Sequence, residues 1–471
     1  MTPEEFRAIG HRVIDWIADY RSKIAELPVM AQTAAGEVKN RLGAVPPERP
    51  EQFDAIMRDL NEIIVPGLSN WQHPHFYGYF PSNGELASVL GDYLSTGLGV
   101  LGLSWQSSPA LTELEEVATD WLRQLTGLSD AWSGVIQDTA STSTLVALLC
   151  ARERATGFSA ARGGMQAEER PLVVYTSDQS HSSVEKAAIL AGFGKANVRP
   201  IPHDISFGLR PERLAEAMRL DVAKGRKPCA LVATTGTTTS TALDPVRDMA
   251  TLARQHNAWL HVDAAMAGSA MILPECRWMW DGIEGADSLV INPHKWLGAA
   301  FDCSVYYVRD PEHLVRVMST NPSYLQSSSD GRVKNYRDWG IPLGRRFRAL
   351  KLWCLIRSVG SAELQERLRR DIANARWFAE RVRTTPGWRV LAPVPLQTVC
   401  VRHEPKGVQG EALDRHTRAW AERLNRSGKA YVTPAVLQGR WVVRVSIGAL
   451  TTEREHVQNL WQLMRREAEG A

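Results

Sequence analysis

Apolar residues recur along this chain in two different rhythms. Near the N-terminus Phe6, Ile9, Val13, Trp16 and Tyr20 fall at helical spacing. A start signal precedes them: Thr2 can cap, Pro3 suits the first turn, and Glu5 can reach back to the cap. Ile14 and Ile17 widen the stripe well beyond one face. That breadth predicts a helix buried against a second subunit rather than only against its own chain. Pro46, Pro47 and Pro50 mark a connector. From about residue 130 short β-branched runs alternate with helical patterns, and the candidate strands are Leu172–Tyr175, Ala230–Ala233, Trp259–Val262, Leu289–Ile291 and Ser304–Val308. Several are apolar throughout, as strands buried on both faces are. The alternation predicts an α/β fold with a mainly parallel sheet between helices. Past residue 345 a long helical region precedes strands near Thr398–Val401 and Trp441–Ile447, which predicts a smaller α+β domain. The expected organisation is an N-terminal helical segment over 1–80 packing on a partner subunit, a large α/β domain over 81–350 and a small domain over 351–471. No solenoid-period repeat and no low-complexity tract interrupts it.

Composition narrows the function classes. With 471 residues the chain buries a large core, and Lys+Arg 55 against Asp+Glu 52 is too balanced for a nucleic-acid binder. Sixteen tryptophans suggest aromatic surfaces, although core packing explains them equally well. The six cysteines are scattered with no C-x-x-C pair, so neither a disulfide framework nor a zinc site is expected. No signal-peptide pattern and no apolar run of about 18 residues occurs, so a cytoplasmic protein is the expectation.

Ligands of open α/β sheets gather at the carboxyl ends of the strands. The run Trp259–Val262 ends in Asp263-Ala264-Ala265, and Leu289–Ile291 ends in Asn292-Pro293-His294-Lys295-Trp296. The run Leu172–Tyr175 leads to Asp178-Gln179-Ser180-His181-Ser182-Ser183, and Ala230–Ala233 leads to Thr234-Thr235-Gly236-Thr237-Thr238-Thr239. One carboxylate, one lysine, one imidazole and a hydroxyl cluster are thus delivered to one edge. Chemistry on pyridoxal 5'-phosphate (PLP) needs that inventory. A lysine amine anchors the cofactor covalently, and a carboxylate keeps the pyridine nitrogen protonated. A flat side chain stacks on the ring, while small hydroxyl residues and N–H groups at a helix start hold the phosphate. Asp138-Thr139-Ala140-Ser141-Thr142-Ser143-Thr144, after Val135-Ile136, is the phosphate candidate. Each piece alone has a bland explanation: a surface lysine, a turn aspartate, a buried histidine, a tight threonine loop. Their conjunction in this chain order carries the signal.

The whole chain resembles the group II PLP-dependent decarboxylases, and among them the bacterial-type aromatic-L-amino-acid (DOPA) decarboxylases. The resemblance is carried by Asn292-Pro293-His294-Lys295-Trp296 and by His261-Val262-Asp263-Ala264-Ala265-Met266-Ala267-Gly268. Asp178–Ser183, Pro342-Leu343-Gly344-Arg345-Arg346-Phe347-Arg348, Tyr79-Phe80-Pro81-Ser82 and Ser104-Trp105-Gln106-Ser107-Ser108-Pro109-Ala110 support it. It implies fold-type I, the aminotransferase-like fold, in a swapped homodimer with active sites at the subunit interface. It implies that Lys295 binds PLP, that Asp263 pairs with the pyridine nitrogen, and that His181 stacks on the ring and meets substrate. Ala140, Ser141 and Asn292 would hold the phosphate, with His294 beside the lysine and Thr238 near the ring and Asp263. Trp71, Tyr79, Phe80, Pro81 and Ser82 would line the substrate site, and Leu101 and Leu103 would reach the neighbouring subunit's site.

Two positions depart from the family pattern. Asp138 stands where a small residue is usual, so its carboxylate should point away from the phosphate or cap the helix. Leu103 replaces a bulkier aromatic, which bears on substrate preference. His73-x-His75 has metal-ligand spacing, but no nearby Cys or Asp supports it and its aromatic neighbours read as a pocket wall. Tyr324 precedes the small polar run Ser327-Ser328-Ser329-Asp330-Gly331, which reads as a loop closing over a site. The resemblance assigns this tyrosine to the decarboxylases, many aldehyde synthases of the family having phenylalanine there. The expected reaction is decarboxylation of an aromatic L-amino acid, with an aromatic aldehyde synthase as the alternative.

Overall fold

The capping signal at the N-terminus is realised: the Glu5 N–H donates to Thr2 Oγ1 (3.2 Å) and the Thr2 N–H donates to Glu5 Oε2 (2.7 Å). These bonds open α1 (Pro3–Ser22) in a computed structural model that describes residues 1–320 and 331–470. None of the residues of α1 is buried by its own chain, and Phe6 is 54% exposed. Short helices α2 (Glu37–Arg41) and α3 (Phe53–Asp59) follow, with the proline connector between them.

Internal contacts divide the chain into two units, one of Met1–Pro81, Ala373–Leu391 and Gln397–Ala471, the other of Ser82–Ile372 and Ala392–Leu396. In the larger unit α4 (Leu86–Leu98) and α5 (Pro109–Thr126) lead into β1 (Ser133–Gln137) and α6 (Ala140–Thr156). Then come β2 (Leu172–Ser177), α7 (Ser182–Leu190), β3 (Val198–Ile201), α8 (Pro211–Ala223), β4 (Lys227–Thr234), α9 (Val246–Gln255) and β5 (Trp259–Asp263). The unit continues with β6 (Ser288–Ile291), β7 (Ser304–Val308), α10 (Pro311–Met318), α11 (Ala349–Val359) and the first half of α12 (Ser361–Thr384).

The seven strands lie in the order β1-β7-β6-β5-β4-β2-β3. Only β7 runs against its neighbours, so the other six point their carboxyl ends to one edge. The predicted strands of this sheet all form, because apolar runs such as those of β2 and β5 are buried at every position. β3 was not predicted; it is an edge strand with Pro200 in it and three of its four residues incompletely buried, so it carries no apolar run. Val146 and Leu148 of α6 and Ala187 and Ala188 of α7 pack with Val174, Val232 and Trp259 of the sheet. α4 turns its small residues Ser88, Gly91 and Ser95 inward. A Cβ at Gly91 would meet the Leu350 carbonyl at 2.8 Å, so glycine permits the close approach to α11.

The other unit carries an antiparallel sheet in the order β10-β11-β9-β8, from β8 (Trp388–Val390), β9 (Thr398–His403), β10 (Thr433–Leu437) and β11 (Arg440–Ser446). Helices α13 (Gly410–Arg426) and α14 (Arg454–Glu469) complete it. The hairpin between β10 and β11 turns on Gln438 and Gly439, both at positive φ. All six cysteines are free. Among the described residues no helix is long and apolar enough to cross a membrane.

Candidate active site

Asp263 is the last residue of β5 and is 6% exposed. Its Oδ1 accepts the Ala265 N–H at 3.0 Å, and no Lys, Arg or His forms an ion pair with it among the described residues. A buried carboxylate in that condition is costly unless a cation joins it. The loop after the neighbouring β4 presses close: the Thr235 N–H donates to the Asp263 carbonyl (3.0 Å), and a Cβ at Gly236 would stand 2.5 Å from that of Ala267. Thr237 and Ser240 share a hydrogen bond inside this loop, while Thr238 is half-buried there.

Lys295 follows β6 in an irregular turn, Pro293–Leu297, and is itself half-buried. The turn is clamped from α12. Trp296 Nε1 donates to Asp371 Oδ2 at 2.8 Å, and Arg367 donates to the Leu297 carbonyl and, at 2.9 Å, to Glu85. The Asn83 N–H reaches the Lys295 carbonyl at 3.4 Å. His294 is 3% exposed, and its Nδ1 accepts the Cys303 N–H at 2.9 Å. Burial, and then the charge of Lys295, push its pKa down to about 4, so His294 is neutral at physiological pH and serves to pin the 301–303 loop.

His181 caps α7 from the end of the β2 loop. Partial burial lowers its pKa below the usual histidine value, Asp263 pulls it up and Lys295 pulls it down. Both charges thus act on the same imidazole. The remaining candidates of this edge lie at the start of α6, where Ala140 and the exposed Ser141 form a first turn without a side-chain cap. Asp138 resolves its conflict locally: its Oδ1 accepts the N–H of Thr139 (2.7 Å), the residue before the helix, rather than a first-turn N–H. Asn292 is 2% exposed, and its Oδ1 accepts the Ser304 hydroxyl at 2.6 Å, which leaves its amide nitrogen as donor.

Trp71, Tyr79, Phe80 and Pro81 belong to the other unit, and Ser82 to the larger one. Trp71 stacks on Phe76 (4.6 Å between centroids) and on Tyr79 (5.4 Å), and Tyr431 closes the patch with a 3.2 Å bond to the Tyr79 hydroxyl. Arg444 lies over Phe80. His73 Nδ1 accepts the His75 N–H at 2.9 Å, and the His75 ring meets His456 edge-on. No group of three potential metal ligands occurs among the described residues. Leu101 is 59% exposed and Leu103 half-buried. Tyr324 lies outside the described residues. Sequence reasoning missed Asp371, Arg367, Ser304 and Tyr431, because each reaches its partner from an element distant in the chain.

A lysine, an unpaired buried carboxylate and an uncapped helix start on one sheet edge fit PLP, and a model of the pyridoxal-dependent decarboxylase conserved domain matches residues 36–404. The chain belongs to this family. It is 40% identical to phenylacetaldehyde synthase of Arabidopsis thaliana over 99% of its own length and 96% of the relative's. It is 39% identical to aromatic-L-amino-acid decarboxylase of Catharanthus roseus, covering 98% and 93%. Among solved structures, Oryza sativa TDC with PLP and tryptamine superposes with a TM-score of 0.97 at 39% identity, over 100% of this chain and 99% of that one. The fold is thus fold-type I, the cofactor is PLP, and the expected group II family is correct. The chemistry of the family is that of a carboxy-lyase, with an amino acid as the small-molecule substrate.

Proposed function

We propose that this protein decarboxylates an aromatic L-amino acid (L-DOPA, 5-hydroxytryptophan, tryptophan, tyrosine or phenylalanine) to its amine and CO2, as a cytoplasmic homodimer. The observation that carries the reading is the delivery of Asp263 at the end of β5, Lys295 just after the adjoining β6 and His181 at the start of α7 to one edge of the sheet. PLP, when bound, supplies an electron sink for the electron pair left as CO2 departs. Lys295 Nζ is its covalent anchor. The Asp263 carboxylate would hold the proton on the pyridine nitrogen, a role suited to a buried carboxylate that makes no ion pair among the described residues. The first-turn N–H groups of α6 at Ala140 and Ser141, with the Asn292 amide, would bind the phosphate. His181 would cover the ring face, with Thr238 and His294 at its margins. Trp71, Tyr79, Phe80, Pro81 and Ser82 receive the aromatic substrate, which the stacked patch around Trp71 supports.

The homodimer is supported by an exposed apolar face. Leu86, Leu90, Leu94 and Leu98 recur every fourth residue on α4 and are 46–59% exposed, and Leu101 continues the row. In this reading Leu101 and Leu103 serve the site of the second copy, and α1 adds its exposed apolar residues to the same assembly.

Tyr324 decides between amine and aldehyde. The carbon left after CO2 loss takes a proton or reacts with O2, and in this reading the Tyr324 phenol would supply the proton. The test is product analysis in air. Wild type should release CO2 and amine in equal amounts, and Tyr324→Phe should lose amine and gain aldehyde, ammonia and hydrogen peroxide. Amine at the wild-type rate from the variant, without O2 uptake, removes Tyr324 from this role. Aldehyde as the main wild-type product would make the protein an aromatic aldehyde synthase, the activity named for one relative.

A further inference from the structure

His181 does more than present a flat face. It is the N-cap of α7, a helix of nine residues, and its Nδ1 accepts the N–H of Ser183 at 3.2 Å. The Ser183 hydroxyl lies 2.8 Å from the same nitrogen, and Ser183 is 6% exposed. A backbone N–H has no role but donor, so Nδ1 is bare, and the hydroxyl beside it must also donate. The proton of a neutral ring is then on Nε2. A positive imidazolium would lose the backbone cap bond and would face the positive end of the helix dipole.

We propose that Ser183 is a positioning residue that fixes His181 as the neutral imidazole protonated on Nε2. The ring then meets the reaction as an Nε2–H donor and not as a cationic acid. The cap bond made by the helix backbone sets the tautomer, because that N–H can only donate; the serine hydroxyl, which can donate or accept, then adds a second donor to the bare nitrogen. Other charges near the ring are Asp263, which favours the cation, and Lys295, which opposes it. The loop itself is held apart from this contact. The Ser180 hydroxyl bonds Thr176 (2.6 Å) and Thr234 (3.2 Å), and Asp178 bonds His203 (2.8 Å), so loss of the Ser183 hydroxyl alters the ring nitrogen and not the path of the chain.

The role of a donor at His181 rests on the function proposed above, but the tautomer does not, and the experiment separates them. Nitrogen-15 spectra of the histidine-labelled resting protein, with and without PLP, are assigned by the signal that disappears in His181→Gln. Wild type should show Nε2 protonated and Nδ1 bare at neutral pH. In Ser183→Ala Nδ1 should stay bare but lose one donor, so its signal should move further from the protonated position, and Ser183→Thr should restore it. With substrate, Ser183→Ala should lower kcat about fivefold, the worth of one ordinary hydrogen bond, at unchanged KM. A wild-type His181 that is cationic or protonated on Nδ1 overturns the proposal, as does a Ser183→Ala spectrum identical to wild type. Because the spectra are read without substrate, they stand or fall separately from the product analysis of Tyr324→Phe.

Discussion

The ion pair between Glu115 and Arg345 gives a quantitative test of how the phosphate end of the site is held. Glu115, on α5, is fully buried, and Arg345 is 6% exposed. Glu115 Oε1 accepts both Arg345 Nη2 (2.5 Å) and the Ile136 N–H (2.8 Å), while the same Arg345 nitrogen donates to the Ile136 carbonyl at 2.8 Å. Both partners therefore grip β1 two residues before Asp138, where the chain turns toward α6. Glu115→Ala leaves a buried guanidinium without its carboxylate and an amide without its acceptor. Breaking a buried pair this way costs about 3–5 kcal/mol. At about 2 °C per kcal/mol for a large unit, the melting temperature should fall by roughly 6–10 °C. The assay is thermal unfolding followed by far-ultraviolet circular dichroism at one fixed scan rate, since large proteins unfold irreversibly. Glu115→Leu combined with Arg345→Met removes both charges and should melt above Glu115→Ala. PLP affinity, measured by equilibrium dialysis, should weaken in Glu115→Ala because β1 no longer fixes the loop ahead of Ala140. A melting temperature within about 2 °C of wild type, or a double variant less stable than Glu115→Ala, refutes the reasoning.

Other outcomes follow from the same geometry. Lys295→Ala should abolish turnover while PLP still binds without a covalent link, and substantial steady-state activity would disprove the anchor. Asp263→Asn should lower the rate by orders of magnitude in a folded, PLP-loaded protein, because the ring nitrogen loses the charge that keeps it protonated; a near-normal rate would assign that task elsewhere. Removing residues 1–25 should cost activity through lost assembly, and light scattering that finds a fully active monomer would refute this. Acid should destabilise the fold. Burial is the main cause that puts His261 and His294 near about 4, below the ordinary 6.5, so the native state binds fewer protons than the unfolded chain between those values. Their stabilisation is complete above pH 6.5 and is lost as pH falls toward 4, by at most about 3 kcal/mol each. Asp244, raised by burial to about 7, works in the opposite direction and loses its contribution as pH rises through 7. The melting temperature should therefore drop from pH 6.5 to 4.5, and His261→Gln should flatten that drop; a flat profile in wild type contradicts the histidine account.

How much of this was legible in the chain depends on the distance over which each fact is encoded. The capping box of α1 and the strands β2, β4, β5, β6 and β7 are local: neighbouring residues suffice to cap a helix, and a strand buried on both faces must be apolar at successive positions. The strand-end residues Asp263, His181 and Lys295 were legible for the same reason, since parallel strands deliver their carboxyl ends to one edge whatever their lateral order. Edge strands such as β3 were not, because a half-exposed strand has no apolar run to announce it. Only the tertiary structure decided the order β1-β7-β6-β5-β4-β2-β3, with β7 reversed. It also decided that residues 1–81 group with the C-terminal strands and helices. The partners that hold the site belong to this second class. Asp371 on Trp296, Ser304 on Asn292 and Glu115 on Arg345 join residues 12 to 230 positions apart. Their side chains carry no local signature, because a hydrogen bond across a folded core is specified by where two elements meet and not by what either one spells.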